Sequence, residues 1–412
     1  VEQTIEGEKK KILIISIWES IWSLGSGAGV SDDHYFIRTA ARRGFDVHFV
    51  APGRRTEGAS DGPAHATSSY PNFFRATRRL PTWMKRILWP LLFHTLALPC
   101  AVMAARRWKP DFILGHTHYT TLSTYVAGKI TRTPFGVKLF GVMELVHMEW
   151  GRWKYVRKNF EQILALKIPQ DVWFILNDGT RGKEAARRLG VPEEKIHFLP
   201  NGINVEWAGL AIDGAAVRRS AGLPSDACII LFLARLVASK RPDALIRAIP
   251  RILERSRGTP FFLYVGDGPE RAACERLAEA LGVARLIRFA GAVPHGRVPE
   301  MLYASDIFVS TSNLTNMAIP TCEASLCGLP VIAYDAGDTA SFVIHRRTGL
   351  VVPDGDVQAL ADAVASLVDD GEKRVSLGEN ARAFAVERCT GWDERTAMEI
   401  DVIESLIGRG RA

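Results

Sequence analysis

Two doubly wound α/β halves joined by a short connection are the architecture predicted by this sequence of 412 residues. Three observations predict it. Apolar, strand-like runs alternate with amphipathic, helix-like runs along the chain. Several strand-like runs stop at Gly, Asn or Asp, where a parallel strand yields to a loop. Helix starts in the second half carry proline near their first turn, at Pro242, Pro269, Pro299 and Pro320.

In the first half, "KILIISIW" (11–18) reads as a buried parallel strand, "GSGAGVSDD" as the loop after it and "HYFIRTAARRG" as a helix. The runs "DVHFVAP", "DFILGH", "FGVKLFG", "DVWFILND" and "KIHFLPNG" supply further strands, and this half occupies 1–205. A polar stretch from Asn204 to Asp226 reads as a linker with a short helix. The second half, 206–391, has strands "CIILFLA", "PFFLYVG", "LIRFAG", "DIFVSTS" and "PVIAYD", with one more helix starting near Val357. The two halves are expected to be Rossmann-like domains facing one another across a cleft. The final helical run, within 392–412, is long enough to cross the boundary and pack on the first half.

Hydrophobic residues make up 47% of the chain and charged residues 24%, as in a folded protein with a large core. The six cysteines are scattered without metal-ligand spacing and read as reduced, mostly buried thiols of a cytoplasmic protein. The opening "VEQTIEGEKKKILIIS" carries a charged tail, unlike a secretory signal. The net charge is +7, and its placement is uneven. Between Asp61 and Asp111 there is no acidic residue, while Arg75, Arg78, Arg79, Lys85, Arg86, Arg106, Arg107 and Lys109 fall inside that interval. Interleaved with Phe73, Phe74, Trp83, Trp89 and Trp108, this segment (73–109) reads either as a contact for an anionic membrane surface or as a solvated helix face beside a buried one. Nucleic acid is not expected as a partner, because no recognition motif accompanies the charge. Ile87 to Ala105 approaches membrane-spanning length, but Pro90 and Pro99 interrupt it and the strands on either side belong to one sheet. An interfacial or buried helix is the expectation.

Four stretches carry chemistry. In "ARLVASKRPDALIRA", Arg235 and Lys240 follow a strand at the carboxyl edge of a parallel sheet, where two cations suit a diphosphate, although a basic pair in a loop is also ordinary surface. In "FFLYVGDGPER", Gly266 and Gly268 either let the backbone approach a ligand or make a tight strand-to-helix turn. Phe289, Gly291 and Val293 fall on the next loop of that edge, where backbone amides can read a nucleobase. The loop 313–319 runs into a helix near Pro320, whose first N–H groups favour phosphate, and Glu323 one turn later is placed to accept hydrogen bonds from ribose hydroxyls. Asp32-Asp33-His34 is a weaker metal candidate than a helix N-cap, and "GSGAGVS" lacks the third glycine or alanine of a dinucleotide loop at Val30.

In order, "RLVASKRPD", "YVGDGPER", "IRFAGAVPHGRVPEMLYASDIFVSTS" and "CEASLCGLPVIAYDAGDTASFVIHRRTGLVVPDGD" resemble the landmarks of retaining glycosyltransferases of the GT-B fold, family 4-like, glycosyl transferases group 1. The resemblance covers most of 228–390; the first half matches more loosely, through "GSGAGV" and "KIHFLPNGIN". It implies an N-terminal acceptor-side domain and a C-terminal nucleotide-sugar-binding domain. Arg235 and Lys240 would neutralise the donor diphosphate, Glu323 would hold the ribose, and the amides of Met317, Ala318 and Ile319 would cradle the distal phosphate. Gly27 and Gly29 would approach the diphosphate from the other domain. The reaction implied is sugar transfer from a nucleotide sugar, a substrate and not a cofactor, to a small-molecule, lipid-linked or saccharide acceptor, with retained configuration and no metal.

Three positions depart from that pattern. Thr315, followed by Asn316, stands where the family carries the first of two glutamates, the one that commonly contacts donor-sugar hydroxyls; Glu323 is the second. Ala318 replaces a usual glycine. Phe140 stands where many members carry a histidine beside the reacting carbon. His116, His118, Glu144, His147 and Glu149 are acceptor-side candidates, with His118 and Glu144 preferred. Two other readings stay open: an epimerase or phosphorylase of the same fold, and a non-catalytic nucleotide-sugar-binding protein, which Thr315 and Phe140 motivate.

Overall fold

A computed structural model describes residues 9–18, 31–53, 64–77, 79–140, 152–177, 179, 181–314 and 319–409. The chain divides into two units. The first contains 1–177, 182–202 and 392–412, and the second 178–181 and 203–391.

Seven parallel strands form the sheet of the first unit: β1 (Lys10–Ile15), β2 (Phe45–Pro52), β3 (Ala64–Tyr70), β4 (Phe112–His116), β5 (Phe135–Leu139), β6 (Val172–Asn177) and β7 (Ile196–Pro200). Their order is β3-β2-β1-β4-β5-β6-β7, so the winding reverses between β1 and β4. Side chains alternate between two covered faces, which is why the strands read as continuous apolar runs. Ile12 and Ile14 join one core layer with the helices α1 (Ser31–Arg42) and α15 (Trp392–Arg409). Leu13 and Ile15 join the opposite layer, under α3 (Thr82–Trp108) and α4 (Thr121–Thr131). On β5, Phe135, Val137 and Leu139 share that opposite face, and Val137 and Leu139 pack with Leu166 of α5 (Arg152–Lys167). The helices α2 (Phe73–Ala76) and α6 (Gly182–Arg188) complete the unit.

The second unit has a six-stranded parallel sheet. Its strands are β9 (Cys228–Leu233), β10 (Pro260–Val265), β11 (Ile287–Gly291), β12 (Ile307–Ser310), β13 (Val331–Tyr334) and β14 (Gly349–Val352). The order β11-β10-β9-β12-β13-β14 places its winding reversal between β9 and β12. Its helices are α7 (Gly214–Ser220), α8 (Pro242–Arg255), α9 (Arg271–Ala280), α10 (Val298–Tyr303), α11 (Ile319–Leu326), α12 (Thr339–Phe342), α13 (Val357–Asp369) and α14 (Gly371–Arg388). Two-residue strands β8 (Gly202–Ile203) and β15 (Thr390–Gly391) mark where the chain passes between units.

Several expectations need correction. β3 and β14 were not anticipated. The stretch beginning at Asn204 is not a simple linker: Asn204 is buried, and Trp207 on the 3-10 turn Val205–Gly209 enters the second unit's core. The helix α3 runs unbroken through Pro90 and Pro99. Pro99 lies on the exposed side, so the carbonyl it leaves unpaired can be hydrated, while Phe93, Ala97 and Ala101 stay packed on the sheet. By length and composition alone, Leu88–Trp108 is long and apolar enough to cross a membrane. However, β3 before it and β4 after it lie in one sheet that α3 covers, and a crossing would separate them. All six cysteines are free; Cys274 and Cys322 are buried and the other four are half-buried.

Asp32 and Asp33 also depart from the N-cap reading. Both lie inside the first turn of α1 and are buried. Asp32 sits 2.6 Å from Lys138 Nζ and 2.6 Å from Arg395 Nη1. Glu399 Oε2 contacts the same two cations at 2.8 and 3.0 Å. This quartet joins α1, β5 and α15, and its two carboxylates balance its two cations. Burial opposes the charge of Asp32, but Arg395 and Lys138 outweigh that and hold its carboxyl below the usual range. Breaking such a buried group by removing one partner strands an uncompensated charge. Lys138→Met is therefore expected to lower stability by about 3–5 kcal/mol in urea unfolding followed by tryptophan fluorescence. Arg38→Ala, which removes an exposed pair with Asp393, should cost about 1 kcal/mol or less. Equal losses in the two variants would refute this account of the quartet.

Candidate functional site

In doubly wound sheets, ligands collect at the carboxyl ends of the strands where the winding reverses. In the second unit that point lies between β9 and β12, where the described residues that follow these strands are 234–241 and 311–314. Arg235 and Lys240 fall on the first loop. The Arg235 side chain is exposed and forms no ion pair or hydrogen bond with a described residue. Lys240 ends a single 3-10 turn, Ala238–Lys240, and is half-buried.

Backbone geometry knits this rim together. The Thr311 hydroxyl reaches the carbonyls of Lys240 and Arg241, each at 2.8 Å. The Asn313 N–H donates to the Ser239 carbonyl at 3.3 Å. On the other side, Leu236 N–H donates to Asp267 O at 2.9 Å, and Gly266 N–H to Gly291 O at 2.8 Å. The loops after β9, β10, β11 and β12 thus form one hydrogen-bonded edge.

Gly266 has a φ of +129°, and a Cβ there would stand 2.0 Å from the Ala234 carbonyl oxygen. A Cβ on Gly268 would stand 2.3 Å from Leu236 O. These glycines are required by the neighbouring loop, which is the tight-turn reading. Phe289 is half-buried with its ring centroid 5.1 Å from that of Tyr264, Gly291 ends β11 with a φ of +74°, and Val293 packs at the margin of the core. Ile319 opens α11, half-buried against the same core. Thr315, Asn316, Met317 and Ala318 lie outside the described residues, as do Gly27, Gly29 and Glu144.

Glu323 is buried in α11, and its Oε1 accepts a hydrogen bond from Asn204 Nδ2 at 2.7 Å. Burial is the main influence on its carboxyl. The Asn204 bond opposes the shift, nearby Glu206 adds to it, and the net effect pushes the pKa up to about 8. Asn204 Nδ2 also lies 3.4 Å from His295 Nε2, and the His295 ring sits 5.1 Å from Trp207. Burial lowers the His295 pKa against the pull of Glu206, so a neutral imidazole faces Asn204. Asn204 and His295 were not singled out from sequence; the strand-ending "NGIN" and the "PHG" after β11 were their signals.

In the first unit, the reversal between β1 and β4 gathers Trp18, His116 and Phe140. The Phe140 ring stands edge-on to Trp18 at 4.8 Å and to His116 at 5.5 Å. His116 is fully buried with Nδ1 3.3 Å from Asp33 Oδ1. Burial, then Lys138, depresses the imidazole, while burial and then Asp32 push Asp33 up to about 8; near neutral pH the contact is between uncharged groups. His118 opens the turn His118–Thr120, half-buried, and burial brings its pKa down to about 4. Among the described residues, no group of three or more His, Cys, Asp or Glu could hold a metal ion.

The family model described as Glycosyltransferase Family 4 matches residues 34–207, and that of Glycosyl transferases group 1 matches 214–384. A D-inositol 3-phosphate glycosyltransferase 2 of Catenulispora acidiphila is 32% identical over 246 residues, covering 58% of this chain and 57% of that protein. A GDP-mannose-dependent α-(1-6)-phosphatidylinositol monomannoside mannosyltransferase of Mycolicibacterium smegmatis is 30% identical over 228 residues, covering 54% and 58%. The chain thus spans a little over half the length of these curated relatives. Among solved structures, sucrose-phosphate synthase of Thermosynechococcus elongatus superposes with a TM-score of 0.73 at 19% identity, covering 97% of this chain and 100% of that one. Anabaena HepE in complex with UDP gives 0.70 at 18%, covering 96% and 100%. These likenesses establish the fold as GT-B, with two Rossmann-like domains.

Two outcomes test this geometry. A carboxyl that ionises near 8 when folded, against an ordinary 4.5, binds a proton more tightly in the folded state. Its contribution to stability therefore falls as pH rises from about 4.5 to about 8 and is flat above. Glu323→Gln removes that loss, so its thermal midpoint should gain on the parent's progressively across that window; a pH-independent difference would contradict it. Gly266→Ala should destabilise by several kcal/mol in the absence of any nucleotide, since its methyl meets a backbone oxygen. A Gly266→Ala protein with unchanged stability and weakened nucleotide binding would reverse the tight-turn reading.

Proposed function

The chain belongs to the glycosyl transferases group 1 family of the GT-B fold, and from that premise we propose that it moves a hexosyl group from a nucleoside-diphosphate sugar to a hydroxyl acceptor, retaining the anomeric configuration and using no metal. The observation that carries this reading is the exposed Arg235 without a described counter-ion at the winding reversal of the second sheet, on the same loop as Lys240. A doubly charged leaving diphosphate is the chemistry such a position accommodates.

In this scheme the bond from the anomeric carbon to the diphosphate oxygen breaks with its electron pair going to that oxygen, while the acceptor oxygen attacks from the same face and its hydroxyl proton passes to the departing diphosphate. Arg235 and Lys240 stabilise the charge that accumulates on the departing diphosphate. Thr311 holds the carbonyls of Lys240 and Arg241, so the loop that presents the cations keeps its shape when the ligand leaves. The Glu323 carboxyl, held by Asn204, is assigned to the ribose hydroxyls. On the acceptor side, His118 is uncharged near neutral pH and can take a hydrogen bond from a hydroxyl. The relatives named for inositol phosphate and phosphatidylinositol mannoside point to a phosphorylated polyol, free or lipid-linked, as the acceptor class to examine first.

Arg235→Ala and Lys240→Ala are each expected to lower kcat/KM by on the order of a hundredfold or more while leaving thermal unfolding within a degree or two of the parent. The comparison uses UDP-glucose and GDP-mannose with inositol phosphate as acceptor. Unchanged rates in both variants would overturn the assignment. Tight binding of a nucleoside diphosphate with no turnover on any acceptor would favour the non-catalytic reading, and donor conversion without acceptor would favour an epimerase or phosphorylase.

A further inference from the structure

The helices α3, α4 and α5 cover one face of the first unit's sheet, as the shared face of Phe135, Val137 and Leu139 shows. A helix layer that covers a sheet normally turns polar side chains outward. This layer also turns large apolar side chains outward. Leu91 (59% exposed) and Met103 (61%) lie on α3, Ile130 on α4, and Val156, Phe160 and Leu164 (64%) on α5. Among the described residues of the first unit, Met398 is the one other large apolar side chain exposed to this degree. Val156, Phe160 and Leu164 repeat every four residues, which makes one stripe along α5.

The same three helices are strongly basic. Lys and Arg number four in α3, one in α4 and five in α5, against a single acidic residue, Glu161. Their excess is larger than the whole chain's +7. Glu161 already accepts from the Tyr119 hydroxyl at 3.3 Å. Arg106, Arg107 and Lys129 are exposed.

We propose that the outer face of the α3–α4–α5 layer docks on an anionic lipid bilayer, with the apolar side chains entering the interface and the cations meeting the headgroups. Apolar contact alone would suit many partners, but an excess of this size on three adjacent helices selects a surface of dense negative charge. A second copy of this chain would bring two such layers together and oppose like charges, which disfavours self-association through this face. Binding of this kind lies flat, consistent with α3 being held against its own sheet. The inference does not rest on the catalytic reading, because docking needs neither donor nor acceptor.

The test is flotation of the full chain with vesicles of phosphatidylcholine alone or with about a third phosphatidylglycerol, at low salt and at about 0.5 M NaCl. The chain is expected to float with the anionic vesicles at low salt, to lose most binding at high salt, and to stay behind with phosphatidylcholine alone. Combined Arg106→Gln, Arg107→Gln and Lys129→Gln changes should lower partitioning on the order of a hundredfold. Leu91→Gln with Leu164→Gln should lower it about tenfold or more, since each removes an apolar group from the interface. These positions are exposed, so both variants should keep the parent's circular dichroism and thermal midpoint. Absence of binding to anionic vesicles overturns the proposal, and so does binding that neither variant weakens. Dimerisation in light scattering that Leu91→Gln and Leu164→Gln abolish, without vesicle binding, would assign the face to a second copy instead.

Discussion

The ammonium of Lys138 is fully buried, and the carboxyl edge of the first sheet is organised around that fact. A lone charge at that depth would be far too costly to keep, so carboxylates must come to it. Asp32 comes from α1 and Glu399 from α15, and Arg395 restores neutrality. Elements more than 350 residues apart in sequence are thereby fixed against β5. Geometry of this sort specifies one arrangement more than it adds stability, because two apolar partners would hold the helices as well without specifying their register. The neighbouring Lys138-to-Phe36 contact, 4.8 Å to the ring centroid, places the remaining side of the ammonium over an aromatic face.

Buried carboxyls in this protein follow the number of cations they meet. Asp32 meets two and stays ionised. Asp33, its sequence neighbour, meets a neutral imidazole and is raised to about 8. Glu323 meets one amide and is raised likewise. The Glu323 carboxyl is thus held close to its titration point near neutral pH. A group in that condition can offer a proton or accept one, which suits contact with hydroxyls, and it costs less to bury than a permanent charge.

Much of the fold was legible because parallel strands covered on both faces leave continuous apolar runs, and β1, β4, β9 and β10 each do. Where the run is weak, the reading failed. β3 is "AHATSSY", with little apolar content, and its place at the sheet's edge explains why it needs little. Proline at 90 and 99 argued for interruption, but tertiary packing of Phe93, Ala97 and Ala101 overrode local preference. Lys138 was invisible for the opposite reason: inside "FGVKLFG" one lysine looks like an outward-facing residue, and its partners lie in distant segments. Asn204 was lost to a linker by its polar surroundings, although it is buried beside Glu323. The positions of Arg235 and Lys240, on a loop at the carboxyl edge, were legible because the strand before them is a continuous apolar run.

Two arginines of that loop show what sequence alone cannot separate. Arg235 and Arg241 are six residues apart, and both follow β9. Arg241 is committed to the fold: its guanidinium donates to Asp354 at 2.8 Å and lies 5.1 Å from the Tyr334 ring centroid, and its backbone, at a φ of +48°, turns the chain into Pro242 at the start of α8. Its charge is already compensated. Arg235 has no such anion among the described residues, and its exposure keeps it solvated at little cost. An uncompensated cation attracts an incoming anion with its full field, whereas a paired one offers only what its partner leaves. The separation of a structural arginine from an available one therefore arises at the end of β13 and just after β14, more than 90 residues downstream, where Tyr334 and Asp354 are supplied.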